Sequence, residues 1–173
     1  MKEKGEGWDR GVDFEAAKAR LESRLSRAKS DTEYAYLAIL LVQLLNGARV
    51  SEAAEAVQVY ARTAERRVRV RVRKQKTPAE RLIIVPRSID LRRVAWIAEV
   101  DLERLVERVK FYARVRLGLN THSLRYAFIT YMARRGVSAQ LIAKMTGHKT
   151  LSHILHYTQK AEAEKILEET VGY

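Results

Sequence analysis

Residues 147–159 read GHKTLSHILHYTQ, so that His148, His153, His156 and Tyr157 fall within ten positions. Three imidazoles this close suggest a metal site. No cysteine or carboxylate lies among them, however, and the spacing does not specify the convergent geometry a metal needs. His153 and His156 are three apart and share a helix face, which reads better as a polar surface than as a ligand pair. No metal and no cofactor is expected.

His148 belongs with residues elsewhere in the chain. THSLRY puts His122 and Arg125 three apart at the start of one expected helix, and Arg49 follows the Asn46-Gly47 stop at the start of another. Helix N-termini attract anions through unpaired N–H groups and the helix dipole. Two arginines and two histidines in such positions can form a cradle for phosphate. Singly, each has a plainer reading: a solvated charge, or a capping or packing residue.

The order of these motifs is more specific than any one of them. The chain reads NGARVSE, then a basic hairpin containing KQKTPAERLIIVP, then THSLRY, TGHKT and HYTQ. His122 to Arg125 is three residues, Arg125 to His148 is 23, and His148 to Tyr157 is nine. Over roughly residues 30–170 this resembles the catalytic domain of the tyrosine recombinases, the phage integrase and Xer-type family.

That resemblance implies a mechanism and a residue set. Tyr157 would attack the scissile phosphate, forming a 3′-phosphotyrosyl link and releasing a 5′-hydroxyl, without metal or ATP. Arg49 and Arg125 would hold the non-bridging oxygens, since a guanidinium is always charged and can bond two oxygens at once. His148 would donate a further hydrogen bond to the phosphate, and His122 would assist proton movement near the nucleophile. A hairpin lysine would protonate the leaving oxygen. Lys76 is favoured because its KT dipeptide is similar to that of phage-type members, with Lys74 the alternative at the Xer-type interval. Glu52, three after Arg49, matches an acidic position that would orient that arginine. Position 126 departs from the family's usual HxLRH by carrying Tyr126.

The elements that must position these residues follow from periodicity. DFEAAKARLESRLSRAKS (13–30) is expected to be helical, with Asp13 as N-cap and Phe14, Ala17, Leu21 and Leu25 on one face. Ser30 opens a capping box with Glu33, and the helix that follows is apolar nearly all round, so it should be central and buried. RVSEAAEAVQ begins a short helix. The period then changes to two: Arg67, Arg69, Arg71 and Arg73 alternate with Val68, Val70 and Val72, which predicts a half-buried strand. KQKTPAE makes a turn and RLIIVP a returning strand. From about Asp90 the pattern is helical again, with stops at Gly118, Gly136 and Gly147 and a last short helix in KAEAEKILEE. The expected fold is mainly α with a small antiparallel β-sheet (α+β), the tyrosine recombinase catalytic-domain fold. Residues 1–12 read as a flexible lead-in and 13–173 as the catalytic domain.

Composition is consistent with such a domain. The chain of 173 residues is 47% apolar, enough for a core and against global disorder. Lys and Arg exceed Asp and Glu by 33 to 21, a net charge of +12 that favours a polyanionic partner, of which nucleic acid is the commonest, and the resemblance implies double-stranded DNA. The Arg67, Arg69, Arg71, Arg73 and Lys74 face could follow a DNA backbone, or could be a solvated edge that prevents aggregation. No 18-residue apolar run and no secretory h-region is present, so no membrane is expected and a cytoplasmic, DNA-associated protein fits. Cysteine is absent, which excludes a disulfide framework. The 31% charged residues and only two asparagines lean towards a thermophile.

The family implies a homotetramer on paired DNA sites, with a monomer expected alone. The tail KAEAEKILEETVGY carries Ala161, Ile166 and Leu167, a face that could pass to a neighbour or fold back. Most family members also carry a separate N-terminal DNA-binding domain. Only 48 residues precede Arg49, and the first helices use most of them, so the chain reads as a fragment of a longer integrase or a minimal recombinase. Two other functions fit the same motifs: a DNA-binding module or integrase remnant of this fold, and type IB topoisomerase-like relaxation.

Overall fold

A computed structural model describes residues 12–72, 76, 78–148 and 163–173. Helix α1 (Phe14–Arg27) starts where Asp13 accepts a hydrogen bond from the Ala16 N–H, and it buries Phe14, Ala17, Leu21 and Leu25. Helix α2 (Asp31–Asn46) is capped by Ser30, whose hydroxyl accepts from the Glu33 N–H, and it ends at Gly47 in the left-handed conformation. Leu37, Ala38, Ile39, Leu40, Leu41 and Leu44 are completely inaccessible. The reason is the one the composition suggests: a helix without a polar face must be covered on every side. Each such leucine contributes about 1.5–3 kcal/mol of burial free energy.

Helices α1, α3 (Val50–Thr63) and α6 (Thr121–Arg134) pack around α2, with contributions from α4 (Leu91–Val94), α5 (Leu102–Tyr112) and the sheet. α3 is longer than the expected short helix, because buried Tyr60 extends its apolar face by a further turn. The helix expected to reach Gly118 is α-helical only to Tyr112. Ala113–Leu117 widens into a π-helical turn before left-handed Gly118. The Tyr112 hydroxyl donates to Glu33 at 2.8 Å, and burial together with that carboxylate pushes the phenol up to about 12. Helix α7 (Ala139–Thr146) ends at left-handed Gly147.

Strands β1 (Arg67–Arg71) and β2 (Glu80–Ile84) form the antiparallel hairpin, with Val70 opposite Arg81 and Arg69 opposite Leu82. Arg67, Arg69 and Arg71 are exposed while Val68 and Val70 are buried, the alternation the sequence predicts. On β2 the same alternation places Arg81 on the buried side with Ile83. The side-chain amide of Asn46 pairs with both backbone groups of Ile84, donating to its carbonyl and accepting from its N–H, which joins the end of α2 to β2. Residues 163–171 form a helix that is exposed throughout, Ile166 and Leu167 included. No single helix among the described residues is long and apolar enough to cross a membrane.

Candidate active site

The site is built on the last turn of α2. Gly47 has φ +58°, and a Cβ there would overlap the ring of Phe128. Glycine therefore serves both the left-handed turn and the close approach of α6. The turn points the Gly47 carbonyl inwards, where it accepts from Arg125 Nη1 at 3.2 Å and Arg81 Nη1 at 3.4 Å. Two residues on, Arg49 is the N-cap of α3, with its side chain partly exposed.

Glu52 sits in the first turn of α3 and is completely buried. Its Oε1 accepts from the Arg49 N–H at 3.0 Å, the one half of a capping box that can form when the N-cap is an arginine, whose side chain has no acceptor. Its Oε2 bonds Arg49 Nη1 at 3.3 Å. Arg81 and Arg125 each bring an Nη1 within 3.7 Å of Oε1. Within these four groups, three guanidiniums share one carboxylate and two positive charges remain uncompensated. Burial, and then the neighbouring Arg49, push Arg125 down to about 10, so it is still charged at neutral pH. Like charges held in a poorly solvated site are costly unless an anion enters.

His148 follows Gly147 at the end of α7, and its ring faces Arg125. The Thr146 hydroxyl donates its one proton to the Ile142 carbonyl at 2.9 Å. The same hydroxyl lies 2.6 Å from His148 Nδ1, which ties the ring to the end of α7. Arg125 Nη2 lies 3.2 Å from Nδ1 and 3.1 Å from Nε2 of the same ring, so the guanidinium rests against the imidazole and meets both of its nitrogens.

Three of the residues singled out from the sequence, Arg49, Arg125 and His148, are joined by these contacts, as is Glu52. His122 stands in the first turn of α6, one turn before Arg125. It is exposed and lines a cavity of about 420 Å³ with Lys110, Arg114 and Asn120. Lys76 is exposed in the hairpin turn. Arg73, Lys74, His153, His156 and Tyr157 lie outside the described residues. The motif pattern did not single out Arg81. A signal existed: with Ile83 and Val85 on the apolar face of the strand, period two puts Arg81 there too.

Residues 97–164 match the Phage integrase family. A candidate integrase of Acidianus two-tailed virus is 39% identical over 166 residues, spanning 92% of this chain and 67% of that one. The chain belongs to the phage integrase family. This integrase-family chain is also 30% identical over 194 residues to an uncharacterized protein of Methanocaldococcus jannaschii, covering 92% of this chain and 87% of that one. It shares 32% identity over 71 residues with the tyrosine recombinase XerA of Pyrococcus horikoshii, 36% of this chain and 25% of that one. Membership of the integrase family implies DNA binding, in keeping with the net charge of +12.

Proposed function

We propose that this protein is a DNA strand-breaking and rejoining enzyme, a site-specific tyrosine recombinase acting without metal or ATP. The observation that carries the reading is the convergence of three groups from separate helices: Arg49 and Arg125 on buried Glu52, and His148 against Arg125. A phosphoryl transition state concentrates negative charge on its non-bridging oxygens. A preorganised surplus of guanidinium charge stabilises that state more than the ground-state diester.

In the proposed reaction the Tyr157 oxygen forms a bond to phosphorus, and the bond from phosphorus to the 5′-oxygen breaks. Arg49 and Arg125 bind the non-bridging oxygens. His148, as an imidazolium, donates to one of them through Nε2. The tyrosine proton leaves by way of His122, and Lys76, or in its place Lys74, protonates the departing 5′-oxygen. Glu52 keeps Arg49 and Arg125 in register. Attack by the freed 5′-hydroxyl of a partner strand reverses the chemistry and rejoins DNA, on paired sites held by a tetramer.

Three other tyrosines, Tyr34, Tyr60 and Tyr112, are committed elsewhere. Tyr34 donates to the Ser88 carbonyl and Tyr60 to the Ile89 carbonyl, with burial raising the Tyr60 phenol above its ordinary value. Tyr112 is held by Glu33. A buried, neutral phenol donating to a fixed acceptor is a poor nucleophile.

The test is incubation with a nicked suicide duplex and with supercoiled plasmid. A covalent DNA–protein adduct is expected from the wild-type chain and none from Tyr157→Phe, with DNA binding retained by both. An adduct formed by the Phe variant overturns the nucleophile assignment. A mobility shift alone, without adduct, makes the chain a DNA-binding module of this fold. Plasmid relaxation without strand exchange makes it topoisomerase-like.

A further inference from the structure

Arg81 is 4% exposed, and the proposed reaction gives it no role. Its guanidinium is aimed at the ends of two helices. Nη2 donates to the Asn46 carbonyl, and Nη1 donates to the carbonyls of Gly47 and Thr146 at 3.4 and 3.2 Å. Nη1 is also 3.7 Å from Glu52 Oε1. The acceptors are the last carbonyls of α2 and α7, the negative ends of two helix dipoles. Asn46 and Gly47 lead through Ala48 into Arg49, and Thr146 leads through Gly147 into His148.

The strand that carries Arg81 leaves the hairpin turn, with Lys76 five residues before it. A second contact runs the same way: a Cβ on Gly147 would lie 3.0 Å from Val72 Cγ2 and 3.5 Å from Arg81 Cδ. The Gly147 turn therefore rests against Val72, just past β1, and Arg81 of β2, on either side of the lysine-bearing turn.

We propose that Arg81 is a positioning residue: its buried guanidinium ties the β-hairpin to the turns that carry Arg49 and His148. The hairpin and the cationic site then move as one body, and the lysine on the hairpin is aligned with the phosphate that the arginines hold. This rests on the recombinase reading. Arginine is required because the acceptors lie in different directions, which a planar fork can span and a lysine ammonium on a flexible stem cannot. Burial lowers the pKa of Arg81 and the Glu52 carboxylate opposes that shift, in keeping with a charged group held in place by its acceptors.

The test is Arg81→Lys, which keeps a cation beside Glu52 and removes the fork, with Arg81→Gln as a second variant. Folding is checked by circular dichroism and thermal unfolding. On the suicide duplex, adduct formation by folded Arg81→Lys is expected to slow by roughly 100-fold, the size of effect a misplacement of about 1 Å produces. DNA affinity should stay within about threefold, since phosphate contacts spread over the surface set binding. A substrate with sulfur at the 5′-bridging position, whose leaving thiolate needs no proton, should recover most of the lost rate. A purely structural role would slow both substrates alike.

A second measurement does not depend on catalysis. Amide exchange at Val72, bonded to the Ala79 carbonyl, and at His148, bonded to the Ala143 carbonyl, is expected to speed up together in Arg81→Lys while that of α1 is unchanged. If the wild-type chain forms no adduct, the recombinase reading fails and the exchange result still decides whether Arg81 ties the hairpin down. A folded Arg81→Lys with wild-type adduct rate, or with wild-type exchange at both amides, overturns the proposal. If neither variant folds, Arg81 is a stability residue and the positioning role is rejected.

Discussion

The Oε1 of Glu52 lies 3.7 Å from Nη1 of Arg125, and both side chains are buried, at 0% and 3% exposure. The contact joins the first turn of α3 to the second turn of α6. It also explains how Arg125 tolerates its position beside Arg49 and Arg81: one carboxylate offsets part of the mutual repulsion of three cations.

Replacing Glu52 by Gln keeps the shape and removes the charge. Breaking a buried charge pair from one side typically costs about 3–5 kcal/mol, because the opposite charge is left unpaired. Urea unfolding of Glu52→Gln should show a destabilisation of that order, with the slope unchanged. A value below about 1 kcal/mol would mean that solvent, rather than Glu52, neutralises the arginines.

Gly47→Ala places a methyl group against Phe128 in a left-handed turn. The expected destabilisation is about 1–3 kcal/mol from overpacking, with backbone strain added. The double variant Gly47→Ala/Phe128→Leu should recover the packing part only. Thermal unfolding of the two variants separates the contributions, and equal midpoints would show that the ring yields without cost.

The two hairpin lysines can be told apart by leaving-group chemistry. If Lys76 is the general acid, Lys76→Ala should slow cleavage of an ordinary phosphodiester by about 10²–10⁴-fold and leave a 5′-bridging phosphorothiolate little affected. Lys74→Ala should then change both substrates modestly and equally. The reverse pattern assigns the role to Lys74.

Arg67, Arg69 and Arg71 form the exposed face of β1. If that face follows the DNA backbone, replacing all three by Gln should make log K less steeply dependent on log salt, by about 0.9 for each phosphate the variant no longer neutralises. Sequence preference should be unchanged, since binding to the backbone sets register alone. An unaltered slope would make the face a solvated edge.

Much of the fold was legible in the chain itself. Asp13, Ser30 and Gly47 mark helix ends through contacts within five residues of each cap, so the local pattern suffices to place them. The Arg-Val alternation of β1 and the all-round apolar character of α2 are likewise local, and both elements form where they were expected. The π-helical turn at Ala113–Leu117 was not legible. Nothing in ARVRL distinguishes it from a continuing α-helix.

The types and intervals of Arg49, His122, Arg125, His148 and Tyr157 were sufficient for the family. Which of these groups touch was decided elsewhere. Glu52, which the family resemblance gave as a support for Arg49, also faces Arg81 and Arg125. The Gly47 carbonyl receives donors 34 and 78 residues away. Such contacts exist only once α2 is enclosed by its neighbours, because only burial brings distant charges within bonding distance and strips away the water that would otherwise satisfy each of them.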